Sequence, residues 1–413
     1  MTPFTTTFIF PIGRTLGGAN IWSARMCGHL ERRGVATAAV LHTNPGWHPD
    51  GDLPIPEATR TLICGGRPVA EANRRDVQRY AKVYAEALPA VIVPNWNDAT
   101  YAACAELARS RPDAVRVVGV AHGNNESYFG TLERYEPILH GMIAVSDEIA
   151  EELRRRFPHR VEDIQTRACP VDVATKVERE PPGAGQPMVV TYAGRITNHE
   201  KRVSDLMPLV RELGRRGVDF RFRVIGEGGY LPTLRGEWAE LPGELRARVS
   251  LEGLLPPDRL PEVWSQSQIS VLVSDSEGTS ISMLESMAAG CVPVVTRVSG
   301  TAAVIRDGLN GFTVPVGDVG EMAGHISRLA DNPEEWARIS GNAVRTVRER
   351  YAYPDYVDWF VDQAACWQAA PPRPWPKDRQ VLSRPYVWPA WIRRVGDRMN
   401  GVKRRLHRRR KSS

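Results

Sequence analysis

The chain reads as an α/β protein: two similar doubly wound parallel-sheet domains facing each other across a cleft, followed by a basic amphipathic tail. Three observations predict this. Short β-branched apolar runs alternate with helical patterns, first up to about residue 170 and again from Met188. A Pro/Gly-rich stretch, VEREPPGAGQP over 177–187, interrupts the alternation and marks a linker. Charge is divided unevenly: residues 373–413 carry 14 Lys/Arg against 2 Asp/Glu, or +12, so a net charge of +6 leaves −6 on residues 1–372. The expected organisation is therefore a domain over 1–176, a second over 188–350, a terminal helix over 351–372 packing back on the first domain, and the tail over 373–413.

With 413 residues, 42% hydrophobic and 25% charged, the chain has ordinary globular usage and length for two cores. A pI near 9.1 reflects the tail, so it does not mark the body as a binder of nucleic acid. Six cysteines scattered without CxxC pairs indicate buried reduced thiols rather than a disulfide framework or a zinc site. No apolar run reaches a membrane span, and the N-terminal MTPFTTTFIFPIG lacks the basic region of a signal peptide, so a cytoplasmic protein is expected.

In the first half, Phe8–Ile12 predicts a strand. Next come a glycine-rich turn containing Gly17 and Gly18 and a helix through Trp22, Met26 and Leu30. Paired glycines let backbone approach a ligand, although the spacing is not G-x-G-x-x-G and a tight βα turn without a ligand fits equally. Runs at Val35–Leu41, Thr61–Cys64, Ala90–Val93, Val115–Val120 and Met142–Val145 continue the sheet. Ligands of such sheets bind beyond the carboxyl ends of the strands. His122, just past one such end beside Gly123 and two amides, is a candidate there; surface or capping duty is its commoner fate.

In the second half, Met188–Tyr192 predicts a strand leading into AGRITNHEKR and a helix through Leu206, Leu209, Val210 and Leu213. Arg195 and Lys201 flank that turn and suit a diphosphate, one as a planar fork and one as a point charge; a solvated basic loop is the plain alternative. Phe220–Ile225 and Val249–Glu252 are strands that stop at glycine. The stretch from Ser274 to Thr296 then forms a β-loop-α-β unit. Gly278-Thr279-Ser280 stand at the helix start, where free N–H groups and the dipole favour an anion. Gly290 is placed to stop the helix. Glu277 and Glu285 can face one ligand from two sides, as hydroxyl acceptors, or Ser282-x-x-Glu285 can be only a capping box. Phe312–Val314 is the last strand, and helical patterns continue over 319–329, 333–350 and 351–368.

Taken together these motifs resemble the retaining nucleotide-sugar glycosyltransferases with two Rossmann-like domains, the GT-B architecture, and within them glycosyltransferase family 4. EGTSISMLESMAAGCVPVV is similar to that family's E-x7-E motif and the run after it; AGRITNHEK is similar to its G-R…K element, and VIGEG, LEGLLP and DGLNGFTVP stand in their places. The resemblance implies transfer of a hexose-like sugar from a nucleoside diphosphate to an acceptor hydroxyl with retention. It implies no cofactor, no metal and no protein nucleophile. It assigns the donor diphosphate to Arg195 and Lys201 beside Gly194, donor-sugar hydroxyls to Glu277, and the ribose to Glu285. Donor contacts further fall to Gly253, Leu254 and the Gly278, Thr279 and Ser280 backbone. His122 would lie near donor sugar and acceptor, and Gly17 and Gly18 in a loop closing over both. Two departures, Gly278-Thr279 after the first Glu and Cys169-Pro170-Val171-Asp172 after the last N-domain strand, bear on donor identity. A non-catalytic nucleotide or sugar binder, or an epimerase or phosphorylase of the same architecture, are the rival readings.

Trp388, Trp391, Ile392, Val395, Met399, Val402 and Leu406 form one helical stripe edged by arginines. Residues 388–411 thus predict a segment docking on an anionic membrane surface at the inner leaflet, with a solvated tail or a nucleic-acid or protein contact as alternatives. Docking would suit a lipid-linked acceptor in cell-surface polysaccharide or glycolipid synthesis; no specific nucleic acid is expected.

Overall fold

Val, Ile, Ala and Phe fill the central strands without alternation, as strands covered on both faces require. The computed structural model describes residues 4–14, 17–43, 53–177, 179–183 and 185–382. The first unit runs β1 (Thr5–Phe10), α1 (Gly18–Arg32), β2 (Thr37–His42), β3 (Arg60–Cys64), α2 (Arg74–Tyr84), β4 (Ala90–Val93), α3 (Asp98–Ser110), β5 (Val115–Ala121), α4 (Glu126–Tyr135), β6 (Leu139–Ala144), α5 (Asp147–Arg156) and β7 (Ile164–Thr166). Its seven strands are parallel in the order β3-β2-β1-β4-β5-β6-β7. The second unit runs β8 (Met188–Ala193), α6 (Leu206–Arg215), β9 (Phe220–Ile225), α7 (Leu231–Ala239), α8 (Gly243–Arg246), β10 (Val249–Gly253), α9 (Leu260–Ser265), β11 (Ile269–Leu272), α10 (Ile281–Ala288), β12 (Val292–Thr296), α11 (Ser299–Ala302), β13 (Phe312–Val314), α12 (Val319–Asp331) and α13 (Pro333–Arg350). Its parallel order is β10-β9-β8-β11-β12-β13.

In each sheet the order reverses beside the first strand, between β1 and β4 and between β8 and β11. The crevice left at the carboxyl ends of such a pair is the ligand position of doubly wound sheets. The loop leaving β8, Gly194 to Lys201, and the loop leaving β11, Ser274 to Ser280, are thereby brought to one place.

Trp22, Met26 and Leu30 are all fully buried on the inner face of α1, and Leu206, Leu209, Val210 and Leu213 on that of α6. After α13 the chain returns to the first unit as α14 (Tyr353–Ala369). Phe360 stacks on Phe8 with centroids 6.2 Å apart, and Trp367 covers Gly141. The outgoing and returning chains run side by side: Val171 N donates to Tyr351 O at 2.8 Å, and Val171 and Ala352 form a parallel bridge. Residues 371–382 extend this return. Trp375 is 2% exposed against Tyr135, and Tyr135 Oη donates to Val381 O at 3.0 Å. The first ten residues counted with the basic tail are therefore packed on the first unit; residues 388–411, with the predicted membrane-docking stripe, lie outside the described residues.

Cys27, Cys64, Cys104, Cys169 and Cys291 are buried free thiols, while Cys366 is exposed, contrary to expectation, because it lies on the outer face of α14. Among the described residues no helix is long and apolar enough to cross a membrane.

Candidate active site

At the β8/β11 crevice, Lys201 Nζ lies 2.6 Å from Glu277 Oε1, and Ser274 Oγ donates to the same oxygen at 2.7 Å. Glu277 is only 6% exposed, so the pair and its hydroxyl partner satisfy a charge that would otherwise be costly to bury. The Glu277 carbonyl is held as well, by Gly300 N at 3.0 Å and Ser299 Oγ at 2.8 Å. Side chain and backbone of this residue are thus fixed from three segments.

Arg195 stands apart from that pair. Its Nη2 meets Glu200 Oε2 at 3.0 Å, and its side chain is 57% exposed. The loop carrying it rests on glycines: a Cβ on Gly226 would come within 1.9 Å of Gly194 O, and one on Gly228 within 2.3 Å of Ile196 O. Only glycine permits that approach. Gly253, at the end of β10, accepts from Gly226 N at 2.7 Å, and the next residue, Leu254, exposes an apolar side chain. These two residues therefore stand beyond Gly226, on the far side of the Arg195 loop.

Gly278-Thr279-Ser280 cross to the first unit. Thr279 Oγ1 donates to Val145 O at 2.6 Å, and a Cβ on Gly278 would lie 2.3 Å from His122 O. Ser280 caps α10, accepting from Met283 N at 3.4 Å. This overturns the capping box of Ser282 and Glu285, since the helix begins two residues too early for it. Glu285 instead pairs with Arg25 Nη2 of α1 at 2.6 Å. Arg25 was not among the sequence candidates: it lies on an ordinary helix, and its partner is far along the chain in the other unit.

His122 packs edge-on against Trp22, with centroids 5.3 Å apart. Its Nε2 is 3.1 Å from Asn95 Oδ1, while Asn95 Nδ2 donates to Ile9 O and Ser23 Oγ. Since Asn95 offers its oxygen, His122 Nε2 carries the hydrogen and Nδ1 the lone pair. Burial lowers the His122 pKa to about 3, so the ring is neutral at ordinary pH.

Gly18 begins α1, where a Cβ would meet Ile281 Cδ1 at 3.7 Å; Gly17 is extended, with φ −178°, and has open space around it. Neither glycine of this turn is demanded by backbone conformation. Its tight element is earlier, at Gly13, which has φ +63° and accepts at its carbonyl from Asn20 Nδ2.

Residues 187–332, the body of the second unit, match the family model described as Glycosyl transferases group 1. Over 222 residues the chain is 30% identical to an alpha-D-kanosaminyltransferase of Streptomyces kanamyceticus, a match covering 51% of this chain and 56% of that protein. The chain spans about half the length of the curated relatives it matches. Among solved structures, a TarM mutant of S. aureus, in complex with fondaparinux, alpha-GlcNAc-glycerol and UDP, superimposes with TM-score 0.72 at 11% identity, over 89% of this chain and all of that one. Anabaena HepE in complex with UDP-glucose gives TM-score 0.69 at 14% identity, over 88% and 99%. Both likenesses are of fold: two facing doubly wound domains, the GT-B arrangement.

Proposed function

We propose that this chain is a glycosyltransferase of family 4 type, moving a hexose-like sugar from a nucleoside diphosphate to an acceptor hydroxyl with retention. The observation that carries the reading is the Lys201–Glu277 pair in the β8/β11 crevice, with Arg195 on the same loop as Lys201. Both hydrogen bonds to the Glu277 carboxylate land on Oε1, which leaves Oε2 to accept from a donor-sugar hydroxyl. Arg195, exposed and, among the described residues, paired with Glu200 alone, can exchange that carboxylate for the diphosphate. The N-terminal ends of the Gly278–Ser280 backbone add donors for an anion.

In this mechanism the acceptor oxygen attacks the anomeric carbon on the face the diphosphate leaves. The bond from that carbon to the diphosphate oxygen breaks, its electron pair goes to the diphosphate, and the acceptor proton goes with it. Arg195 and Lys201 stabilise the charge that develops on the leaving oxygen, which is where electrostatic catalysis contributes most. His122, neutral with Nδ1 as acceptor, would take a hydrogen bond from a sugar hydroxyl rather than deliver a proton. Gly194, Gly253 and Leu254 would line the nucleotide side, and Gly17 and Gly18 the acceptor side. The acceptor is a sugar or a lipid-linked sugar, and the basic tail would hold the enzyme at the cytoplasmic face of an anionic membrane. Unchanged sedimentation with anionic vesicles after removal of 383–413 would sink that last part.

The test is to incubate the full chain with UDP-, GDP-, ADP- and TDP-hexoses and hydroxyl acceptors, and to measure nucleoside diphosphate release with NMR of the product anomer. Arg195→Ala is expected to lower kcat with donor KM little changed, and Glu285→Ala to raise donor KM. Failure of every donor to react or bind overturns the reading.

A further inference from the structure

We infer that Arg25, from the first unit, is a positioning residue of the donor site: it pairs with the Glu285 carboxylate and aims it, so that donor recognition in the second unit depends on a residue of the other. This rests on the donor reading above, in which Glu285 takes the ribose hydroxyls.

The geometry is specific. Arg25 Nη2 meets Glu285 Oε1 at 2.6 Å, with the two side chains 23% and 13% exposed. One carboxylate oxygen is thereby engaged and the other left for hydroxyls. Among the described residues, buried Arg25 Nη1 has no hydrogen-bond partner. Arg25 is itself steered: its Nε lies 3.9 Å from Asp172 Oδ2, and Asp172 Oδ1 receives His29 Nε2 at 3.0 Å. His29 stacks on Tyr353, at 3.8 Å between centroids, where α14 begins. The groups facing Glu285 are thus Arg25 from α1, Asp172 from the segment after β7 and Trp264 from α9, with Tyr353 of α14 behind Arg25. Burial raises the Glu285 pKa above the ordinary carboxylate value and the Asp172 charge adds to this, while Arg25, by charge and hydrogen bond, is the larger of two opposing groups and Trp264 the smaller. Removing Arg25 therefore shifts Glu285 further toward its protonated form, a poorer acceptor of hydroxyls, and frees the side chain to turn.

The experiment is calorimetric titration of the full chain with UDP, GDP, ADP and TDP at pH 6.0 and 8.5, each variant compared with wild type at the same pH using the tightest of the four. Arg25→Gln should weaken that ligand by about tenfold or more at pH 6.0 and recover much of it at pH 8.5. Arg25→Lys should stay within about threefold of wild type at both pH values. In the double variant Arg25→Gln/Glu285→Gln the pH difference should vanish. An equal loss at both pH values, no loss at all, or an Arg25→Lys indistinguishable from Arg25→Gln overturns the inference while the donor reading stands. Wild type binding none of the four overturns the donor reading and this inference with it. If Arg25→Gln does not fold, Glu285→Gln decides: it should bind more weakly than wild type by the same factor at both pH values, and unaltered affinity sinks the proposal.

Discussion

His42, His122 and His140 are all driven toward the neutral form by burial, with pKa values lowered to about 3, 3 and 4. In the unfolded chain each takes up a proton near pH 6.5; in the native chain it does not. The stability these residues contribute is therefore complete above about pH 6.5 and is lost as pH falls toward their native values. Urea midpoints should drop between pH 7 and pH 5, and the drop should shrink in His42→Gln; a flat profile would show that burial does not hold these rings neutral. The same scale decides what a linear reading can find. Lys201 and Glu277 each stand in a local motif, so both were legible before their contact was. Arg25 carries no local signal at all. Its meaning lies in a carboxylate 260 positions later, and only the packing of α1 against α10 joins the two.

At the level of elements, α10 is short, and its first turn depends on one hydroxyl, Ser280 Oγ on Met283 N. Ser280→Ala should cost about 1 kcal/mol of stability by thermal or urea unfolding, and Ser282→Ala less than about 0.5 kcal/mol. A reversal of that order would restore the capping box at Ser282. The strands were legible because parallel, doubly covered strands are continuous β-branched runs, and Ala90–Val93, Phe220–Ile225 and Phe312–Val314 match the sequence reading end for end. β7 was not, since an edge strand of three residues with Gln165 at its centre leaves no apolar run to read. Gly17 and Gly18 stand out in the sequence but adopt ordinary backbone, whereas Gly226 and Gly228, which do require the absence of a side chain, belong to a motif that drew less notice.

For the whole molecule, the Gly278 backbone of one unit lies close against the His122 carbonyl of the other, reinforced by Thr279 Oγ1 on Val145 O. A methyl at position 278 has no room: the loop cannot retreat freely, because Gly300 N and Ser299 Oγ hold the Glu277 carbonyl behind it. Gly278→Ala should therefore push the units apart, seen as a larger radius of gyration in small-angle scattering and lower turnover, with each unit still folded. An unchanged scattering curve would show that the loop absorbs the methyl locally. Two doubly wound parallel sheets were legible from the alternation; which face of one meets which face of the other was not, because no periodicity encodes a contact between two loops.

The paired crossing at Val171 and Ala352 has a mechanical meaning beyond connectivity. A single tether lets one body swivel and twist against another. Two chain segments running side by side and joined by a hydrogen bond resist twist and leave bending across the pair as the soft motion. A bend of that kind would keep Gly278 in line with the same carbonyl and Glu285 with the same guanidinium. Because both ends of the second unit leave and re-enter at one spot, that unit is topologically a cassette inserted into the first, and a short bridge from 171 to 352 would close the first unit's chain without it.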